Sequence, residues 1–399
     1  METLENALEL LLSHTSSVTE TELLPLCDAL GRIAAADVAS SVNLPPFNRS
    51  PLDGYALHSE DIVSATREQP ICLTVIGEAC AGCGTTFEPK SGEALRIMTG
   101  APVPAVCDCV IRQEDTNEGM DTVQIYAAVG HNQNICWAGE DLAKGTVVLK
   151  RGDRITPAHI GTLCGIGVTH VEVFRCPTAV LLCTGDELAE AGEELPFGKI
   201  YDSSKGYLTA RMTELGIRAQ VLSNVADDPE QAASALLEAL QQADILITTG
   251  GVSVGKKDIM HQVLPLMDAE RLFWKIAMKP GSPLLAATCQ GKPMICLSGN
   301  PYAAIACFEI FARPVLAKLA GQSNFSLVRF RARLAQPFPK GGKVRRLARA
   351  RFNGCELFFN SENHSSGSIS SMIGCNCLVD IPGGAGPLPA GTEVDVFKL

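Results

Sequence analysis

The chain has 399 residues, with 46% hydrophobic and 19% charged side chains and a formal net charge of -11. Such a length exceeds one hydrophobic core, so about two to four domains are expected. The acidic balance and an aromatic content of 5% argue against a nucleic-acid binder. No apolar run approaches the roughly 18 residues of a membrane span. The first residues, Met1-Glu2-Thr3-Leu4-Glu5, are acidic and unlike a signal peptide. A cytoplasmic location follows as an expectation, with the 16 cysteines as reduced thiols.

Residues 1–40 read as helical, with Leu4, Leu8, Leu11 and Leu12 on one face. A Pro-rich extended stretch follows at 43–48, then Ser50-Pro51-Leu52-Asp53-Gly54-Tyr55. Short strands at 71–76, 95–98, 109–112 and 122–128, punctuated by Gly and Pro, predict a β-rich piece. Within it, Cys80-x-x-Cys83 and Cys107-x-Cys109 allow a zinc site. Small buried hydrophobes are the favoured reading, because Cys107 and Cys109 alternate into Val110-Ile111 as strand residues do. Cys375 and Cys377 also read as strand residues. A mixed piece follows at 138–176, where Thr156-Pro157 supplies the N-cap and first turn of a helix and 171–173 form a strand.

From 177 to 321 strands alternate with helices. The strands fall at 179–183, 219–223, 245–248, 272–277, 284–287 and 294–297. Asp228-Pro229 opens one helix, running to 241, and Asn300-Pro301 another, running to 319 with Gly321 as its stop. This pattern predicts a doubly wound, parallel α/β sheet, whose ligands sit beyond the carboxyl ends of the strands. Three Gly-bearing loops fall at that edge: Thr184-Gly185-Asp186-Glu187, Thr248 to Gly255, and Ser298-Gly299-Asn300-Pro301. Glycines let backbone approach a ligand, and a helix start offers unpaired N–H groups to an anion. After Gly321 the chain is β-like again and predicts a small barrel.

Carboxylates gather in loops: Asp53, Glu140 with Asp141, Asp186 with Glu187, Asp228 and Asp258. Converging on a strand edge they would suit a hard cation such as Mg²⁺. Asp228 reads equally as a plain N-cap, and Asp141 and Glu187 as solvated turn residues. Lys275 interrupts an apolar strand and should face an anion, with Lys279 close by; an aggregation-blocking edge lysine is the alternative. No nucleophile–base pair is recognisable among the seven histidines, so covalent catalysis is not indicated. Thr99 and Ser253, beside glycines, read as hydrogen-bond donors to a ligand. His364, Ser366 and Ser371 read as surface residues.

Taken in order, several segments resemble the MoeA and gephyrin E-domain family of molybdenum insertases. They are Ser50 to Ala56, Arg96-Ile97-Met98-Thr99-Gly100-Ala101-Pro102, Gly139-Glu140-Asp141, Thr184 to Leu188, Ile200-Tyr201-Asp202, Asp227-Asp228-Pro229, Gly250 to Gly255, Lys275 to Gly281 and Gly299-Asn300-Pro301. The likeness spans essentially the whole chain. It implies an L-shaped, dimerising subunit of four domains: domain I at 1–25, 41–55 and 138–176, a β-rich domain II at 26–40 and 56–137, a molybdopterin-binding α/β domain III at 177–321, and a β-barrel domain IV at 322–399. A cleft completed by the partner subunit is implied too.

The implied reaction inserts molybdate into adenylylated molybdopterin and releases AMP, with Mg²⁺ as helper. By this resemblance Lys275 and Lys279 hold molybdate or phosphate. Asp141, Glu187 and Asp258 hold the metal, and Asp228 helps place metal and pterin. Asp53 and Thr99 come from the other lobe of the cleft. Thr184, Gly185, Asp186, Gly250, Gly251, Ser253, Gly299, Asn300 and Pro301 cradle the pterin nucleotide. Implied partners are a second copy of the chain, molybdopterin adenylyltransferase, and molybdoenzyme apo-proteins or their chaperones. The chain departs from the family pattern at Cys136-Trp137-Ala138, Ser204, Lys256, Ser282 and Ser298. Those at Ser282 and Ser298 motivate an alternative, a pterin-binding or scaffold homologue without turnover. The related adenylyltransferase, which shares only the α/β domain, is a second alternative.

Overall fold

The computed structural model of the chain describes residues 1–84, 86–222, 228–252, 259–360 and 364–399. Its centre is a six-stranded sheet in the order Arg218–Leu222, Thr178–Cys183, Ile245–Thr249, Lys292–Leu297, Leu285–Cys289, Glu270–Trp274. The first four strands are parallel. Leu285–Cys289 is antiparallel to both of its neighbours, which corrects the expectation of a wholly parallel sheet. The reason is local. Only Gln290-Gly291 separates it from Lys292–Leu297, both with positive φ (51° and 74°), and a two-residue turn of that kind makes a hairpin. Glu270–Trp274 therefore runs in the same direction as the parallel four, and its carboxyl end lies at the same edge as theirs.

Both faces of this sheet are covered. Ala232, Leu236 and Leu240 of the helix Pro229–Leu240 pack on one face with Met260, Val263 and Leu264. On the other lie Leu208 and Met212 of Ser203–Glu214, together with Tyr302, Phe308, Phe311 and Leu316. These last belong to one continuous helical rod of three segments, Pro301–Cys307, a π-helical turn at Phe308–Ala312, and Arg313–Leu319. Gly321 ends it at φ 81°. Leu4, Ala7 and Leu11 of the helix Leu4–Ser13 join the same core.

That first helix is the only α-helix in residues 1–40, against the expectation of helix throughout. Thr21–Pro25 pairs instead with His170–Phe174. Leu26, Ala29 and Ala34 pack with Leu149, Ile155, Leu163, Val171 and Val173, so residues 26–40 lie with the mixed module rather than the β-rich lobe. The bridges Ile33 to Arg154 and Ala34 to Val173 fix that placement. The lobe itself is a five-stranded sheet ordered Cys109–Arg112, Gly54–Leu57, Glu93–Ile97, Ile71–Ala79, Thr122–Ile125. Gly54 and Tyr55 thus belong to the lobe, not to the extended segment before it. Cys107 and Cys109 are buried in its cores, whereas Cys80 and Cys83 are exposed. Cys375 lies just before the strand Cys377–Ile381 rather than in it.

Five strands close the C-terminal barrel, in the order Arg345–Phe352, Glu356–Phe358, Arg329–Leu334, Glu393–Lys398, Cys377–Ile381 and back to the first. A sixth short strand, Met278–Lys279, comes from the α/β domain and pairs with the barrel's Arg345–Arg346. This graft brings the barrel to the carboxyl edge of the central sheet.

Candidate active site

Three strand tips meet at that edge. Gly250 has φ 89°, and a Cβ there would lie 2.3 Å from the Thr184 carbonyl oxygen and 2.8 Å from its hydroxyl. A Cβ on Gly299 would lie 3.5 Å from the Gly250 Cα. The tips are also laced by backbone: Thr184 N–H donates to Thr249 O (2.9 Å), and Gly250 N–H to Leu297 O (3.1 Å). Glycine is needed at Gly250, where the approach is this close, whereas the contact at Gly299 is an ordinary van der Waals one. Around the tips opens a cleft of about 630 Å³, lined by Thr184, Gly185, Glu187, Gly250, Gly251 and Ser204 among others. Ser298, Gly299, Asn300, Pro301 and the barrel's Gly367 complete its wall. That volume is in the range of small-molecule sites. Glu187 bends its carboxylate back over Gly185, 2.8 Å from where a Cβ there would stand. Asp186 is exposed beside it, and its carbonyl accepts from the Lys199 ammonium.

A second cavity of about 300 Å³ adjoins the first and shares Pro283, Ser298 and Asn300 with it. It is lined by Lys279, Ser282, Arg346, His364 and Ser366. Strand pairing sets Lys279 directly beside Arg346, so two cations stand next to one another at the mouth of the barrel. Sequence reasoning missed Arg346. Neighbouring strand residues point to opposite faces: Arg345 goes to Asp380 and Glu5, while Arg346 goes to the cavity, and only the fold says which of the two does so. His364 is a correction as well. It is half-buried, with its ring 4.9 Å from Phe338 and 5.4 Å from Phe359. Burial, reinforced by Lys340, Arg349 and Arg346, pushes its pKa down to about 4. Ser366 lines the same cavity and Ser371 is buried, so neither is a surface residue.

Lys275 is not a strand residue. The strand stops at Trp274, and Lys275 adopts φ 69°, a left-handed conformation that L-residues seldom take. Its ammonium lies 4.0 Å from the Trp274 ring centroid, a cation–π contact rather than an anion pair. The Trp274 indole N–H in turn donates to Val252 O at 3.0 Å, tying Lys275 to the central Gly-rich tip. Asp228 caps its helix, accepting from Glu230 N–H (2.9 Å) and Gln231 N–H (3.1 Å), as its N-cap reading requires.

Asp53, Thr99 and Asp141 lie in the N-terminal modules and line neither cavity. Asp53 accepts from both the backbone N–H and the hydroxyl of Thr99, each at 2.7 Å. Those bonds, the backbone one first, hold the Asp53 carboxyl below its ordinary pKa. Asp141 sits in a loop docked by its N–H on Leu44 O (3.0 Å). The neighbouring Cys136-Trp137-Ala138 is fastened to Arg49, Glu140 and Asn48 through backbone N–H groups. Ser253, Asp258 and Lys256, along with Asp227, lie outside the described residues. Among the described residues no group of three or more His, Cys, Asp or Glu side chains is placed to hold a metal ion. Two departures have local roles. Ser282 hydroxyl donates to Ile276 O (2.9 Å), and Ser298 hydroxyl accepts from Asn300 N–H (3.4 Å).

Comparison with known proteins identifies the family. Residues 2–167 match the model of the MoeA N-terminal region (domain I and II), residues 180–318 a probable molybdopterin binding domain, and residues 331–399 the MoeA C-terminal region (domain IV). A molybdopterin molybdenumtransferase of Staphylococcus epidermidis is 35% identical over 376 residues, 93% of this chain and 90% of the relative. One from Staphylococcus aureus is 34% identical over 373 residues, 92% and 89% of the two chains. The crystal structure of a molybdopterin biosynthesis MoeA protein from Pyrococcus horikoshii superposes with a TM-score of 0.88 at 29% identity, covering 100% of both chains.

Proposed function

Because the chain belongs to the MoeA family of molybdopterin molybdenumtransferases, the insertases of molybdenum cofactor biosynthesis, we propose that its two joined cavities take adenylylated molybdopterin and molybdate. The pterin nucleotide lies in the larger cleft, against Thr184, Gly185, Gly250, Gly251 and Asn300. Molybdate enters the smaller one, between Lys279 and Arg346. The observation that carries this reading is the register of Lys279 against Arg346 at a cavity that adjoins the Gly-rich cleft and shares Pro283, Ser298 and Asn300 with it. One such charge about 4 Å from an oxyanion, at an effective dielectric of about 20, attracts with about 4 kcal/mol before desolvation. That outweighs the diffuse charge of an acidic protein.

Cleavage of a phosphoanhydride needs positioning and charge neutralisation more than a protein nucleophile. Glycine-bearing tips supply backbone N–H groups to the phosphates. Lys275, which lines neither cavity but lies beside the cleft over the Trp274 ring, adds positive charge from there, and Lys279 adds it from the molybdate cavity. Glu187, with the hydroxyls of Thr184 and Ser298, offers hard oxygen donors of the kind Mg²⁺ accepts alongside phosphate oxygens. When bound, Mg²⁺ would add positive charge at the pyrophosphate. We place Asp53, Thr99 and Asp141 of a second copy over the open side, so the working unit is a homodimer. Exposed Leu195, Phe197, Ile200 and Tyr201 on and beside the cleft rim support such a cover. Among the described residues no helix is long and apolar enough to cross a membrane, in keeping with a cytoplasmic enzyme that hands its product to apo-molybdoenzymes or their chaperones.

The test is turnover. Purified protein with adenylylated molybdopterin, Mg²⁺ and molybdate should release AMP and yield a cofactor that activates an apo-molybdoenzyme. Lys279→Ala and Arg346→Ala should each lose molybdenum transfer by about a hundredfold or more while keeping the wild-type melting temperature. Full activity in both variants would refute the assignment of the smaller cavity. Consumption of ATP on plain molybdopterin would indicate the adenylyltransferase instead, and binding without turnover a non-catalytic homologue.

A further inference from the structure

The first residues of the chain hold the segment that aims Lys275. Glu2 N–H donates to Lys275 O at 3.0 Å, and Ala277 N–H donates to Glu2 O at 2.8 Å. Glu2 thus forms a parallel bridge to Ile276, one residue beyond the lysine. From the other side Lys275 N–H donates to Leu284 O (2.9 Å) and Ile276 N–H to Ser282 O (2.9 Å). Residues 275–277 are therefore clamped between the chain's second residue and the 282–284 segment.

What the clamp holds is an unfavourable backbone state. Lys275 sits at φ 69°, and a side chain with a Cβ pays a steric cost there that must be offset by surrounding bonds. That conformation also decides where the ammonium goes. In a regular strand Trp274 and Lys275 would point to opposite faces. The left-handed turn swings Lys275 to the side of its neighbour, where its Nζ lies 4.0 Å from the indole centroid. The indole is itself fixed by its bond to Val252 O (3.0 Å) and by the edge of His261, 4.5 Å away.

We propose that Glu2 is a positioning residue for the insertase: its backbone, not its side chain, locks Lys275 in the left-handed conformation that parks the ammonium over the Trp274 indole, beside the Val252 wall of the cleft, from where it serves the anionic substrate. This rests on the reading of Lys275 as an anion-binding lysine. The donor is the group that matters, so a residue without an N–H at position 2 should release the Lys275 carbonyl, while any other residue should keep the clamp.

Glu2→Pro and Glu2→Ala separate these cases, because with Met1 still attached, as mass spectrometry of the purified proteins verifies, proline alone lacks the N–H. With full-length protein, adenylylated molybdopterin, Mg²⁺ and molybdate, Glu2→Ala should match wild type. Glu2→Pro should lower kcat about tenfold or more, the scale of a slightly misplaced group, with KM unchanged and a melting temperature lower only by the few degrees that one lost hydrogen bond costs. Equal kcat in the two variants would overturn the proposal. So would a Glu2→Pro protein whose KM shifts along with kcat and whose melting temperature falls well beyond the cost of one hydrogen bond, since that is a general loss of packing. Lys275→Ala reports on the premise by itself. Loss of activity there with a normal Glu2→Pro enzyme sinks only the clamp, and wild-type activity there sinks the role of the lysine and the clamp with it.

Discussion

Gly250 is the pivot of the cleft, because no side chain fits at its position. A Cβ would stand 2.3 Å from Thr184 O, and the backbone is already at φ 89°. Gly250→Ala must push two strand tips apart and adopt a left-handed state, which costs about 1–3 kcal/mol. The variant should melt several degrees lower and bind the pterin nucleotide weakly, as calorimetry and a titration would record. A pterin affinity equal to wild type would mean the cleft does not depend on that contact. His364 makes a prediction in pH. Its folded-state pKa of about 4 lies below that of an exposed imidazole, so the unfolded chain takes up the proton first. Stability is then greatest above about pH 6.5 and declines as pH falls through that value toward 4. His364→Gln should flatten that decline in urea unfolding curves measured across the interval. The glycine tips were legible from the sequence, since strand, glycine and helix start follow one another in the chain. Arg346 and His364 were not. Their role comes from a strand pairing between Lys279 and Arg346, distant in sequence, and from aromatic rings that only the folded barrel assembles.

The helical rod from Pro301 to Leu319 joins the cleft to the barrel, and its centre is irregular for a reason. Phe308–Ala312 is a π-turn, and within it Glu309 is fully buried. Its carboxylate accepts from Arg211 Nε at 2.7 Å and faces Arg313 Nε at 3.1 Å, so one acid serves two cations. Arg211 belongs to Ser203–Glu214, whose first turn lines the cleft through Ser203 and Ser204. The network therefore fixes two helices that both end at the site. Removing the acid leaves two guanidinium groups facing one another without it. Glu309→Ala should cost about 3–5 kcal/mol, against a much smaller loss for an exposed partner such as Glu214→Ala. Similar losses for the two in denaturant unfolding would contradict the buried role. Helix ends were readable here, with Asn300-Pro301 at the start and Gly321 at the stop. The π-turn was not, because residues 302–308 and 310–312 are apolar throughout and offer no polar face against which an extra residue would show as a shift of phase. The antiparallel Leu285–Cys289 escaped notice for a related cause: a buried strand reads the same in either direction, and only the positive φ of Gln290 and Gly291 reverses it.

One chain supplies the Gly-rich tips, Glu187, Lys279 and Arg346 to the cavities, but keeps Asp53, Thr99 and Asp141 in modules that line neither. If the homodimer completes the site, the two groups act across a two-fold axis, and each active site mixes residues of both copies. That arrangement has a consequence no single-chain site shares. Asp141→Ala and Lys279→Ala homodimers should each be inactive, because every site in them carries one defect. When the two proteins are unfolded together and refolded, half of the dimers are mixed. In a mixed dimer one site collects both defects, and the other is fully wild type. Activity should therefore return to about a quarter of wild type, the product of one-half mixed dimers and one-half intact sites. A site built within one chain would instead put one defect in every site, and mixing would restore nothing. AMP release by the refolded mixture, compared with each variant refolded alone, decides between the two. Dilution below the dimer dissociation constant should abolish the restored activity in parallel with the dimer peak in sedimentation, since a monomer has no partner to supply Asp141.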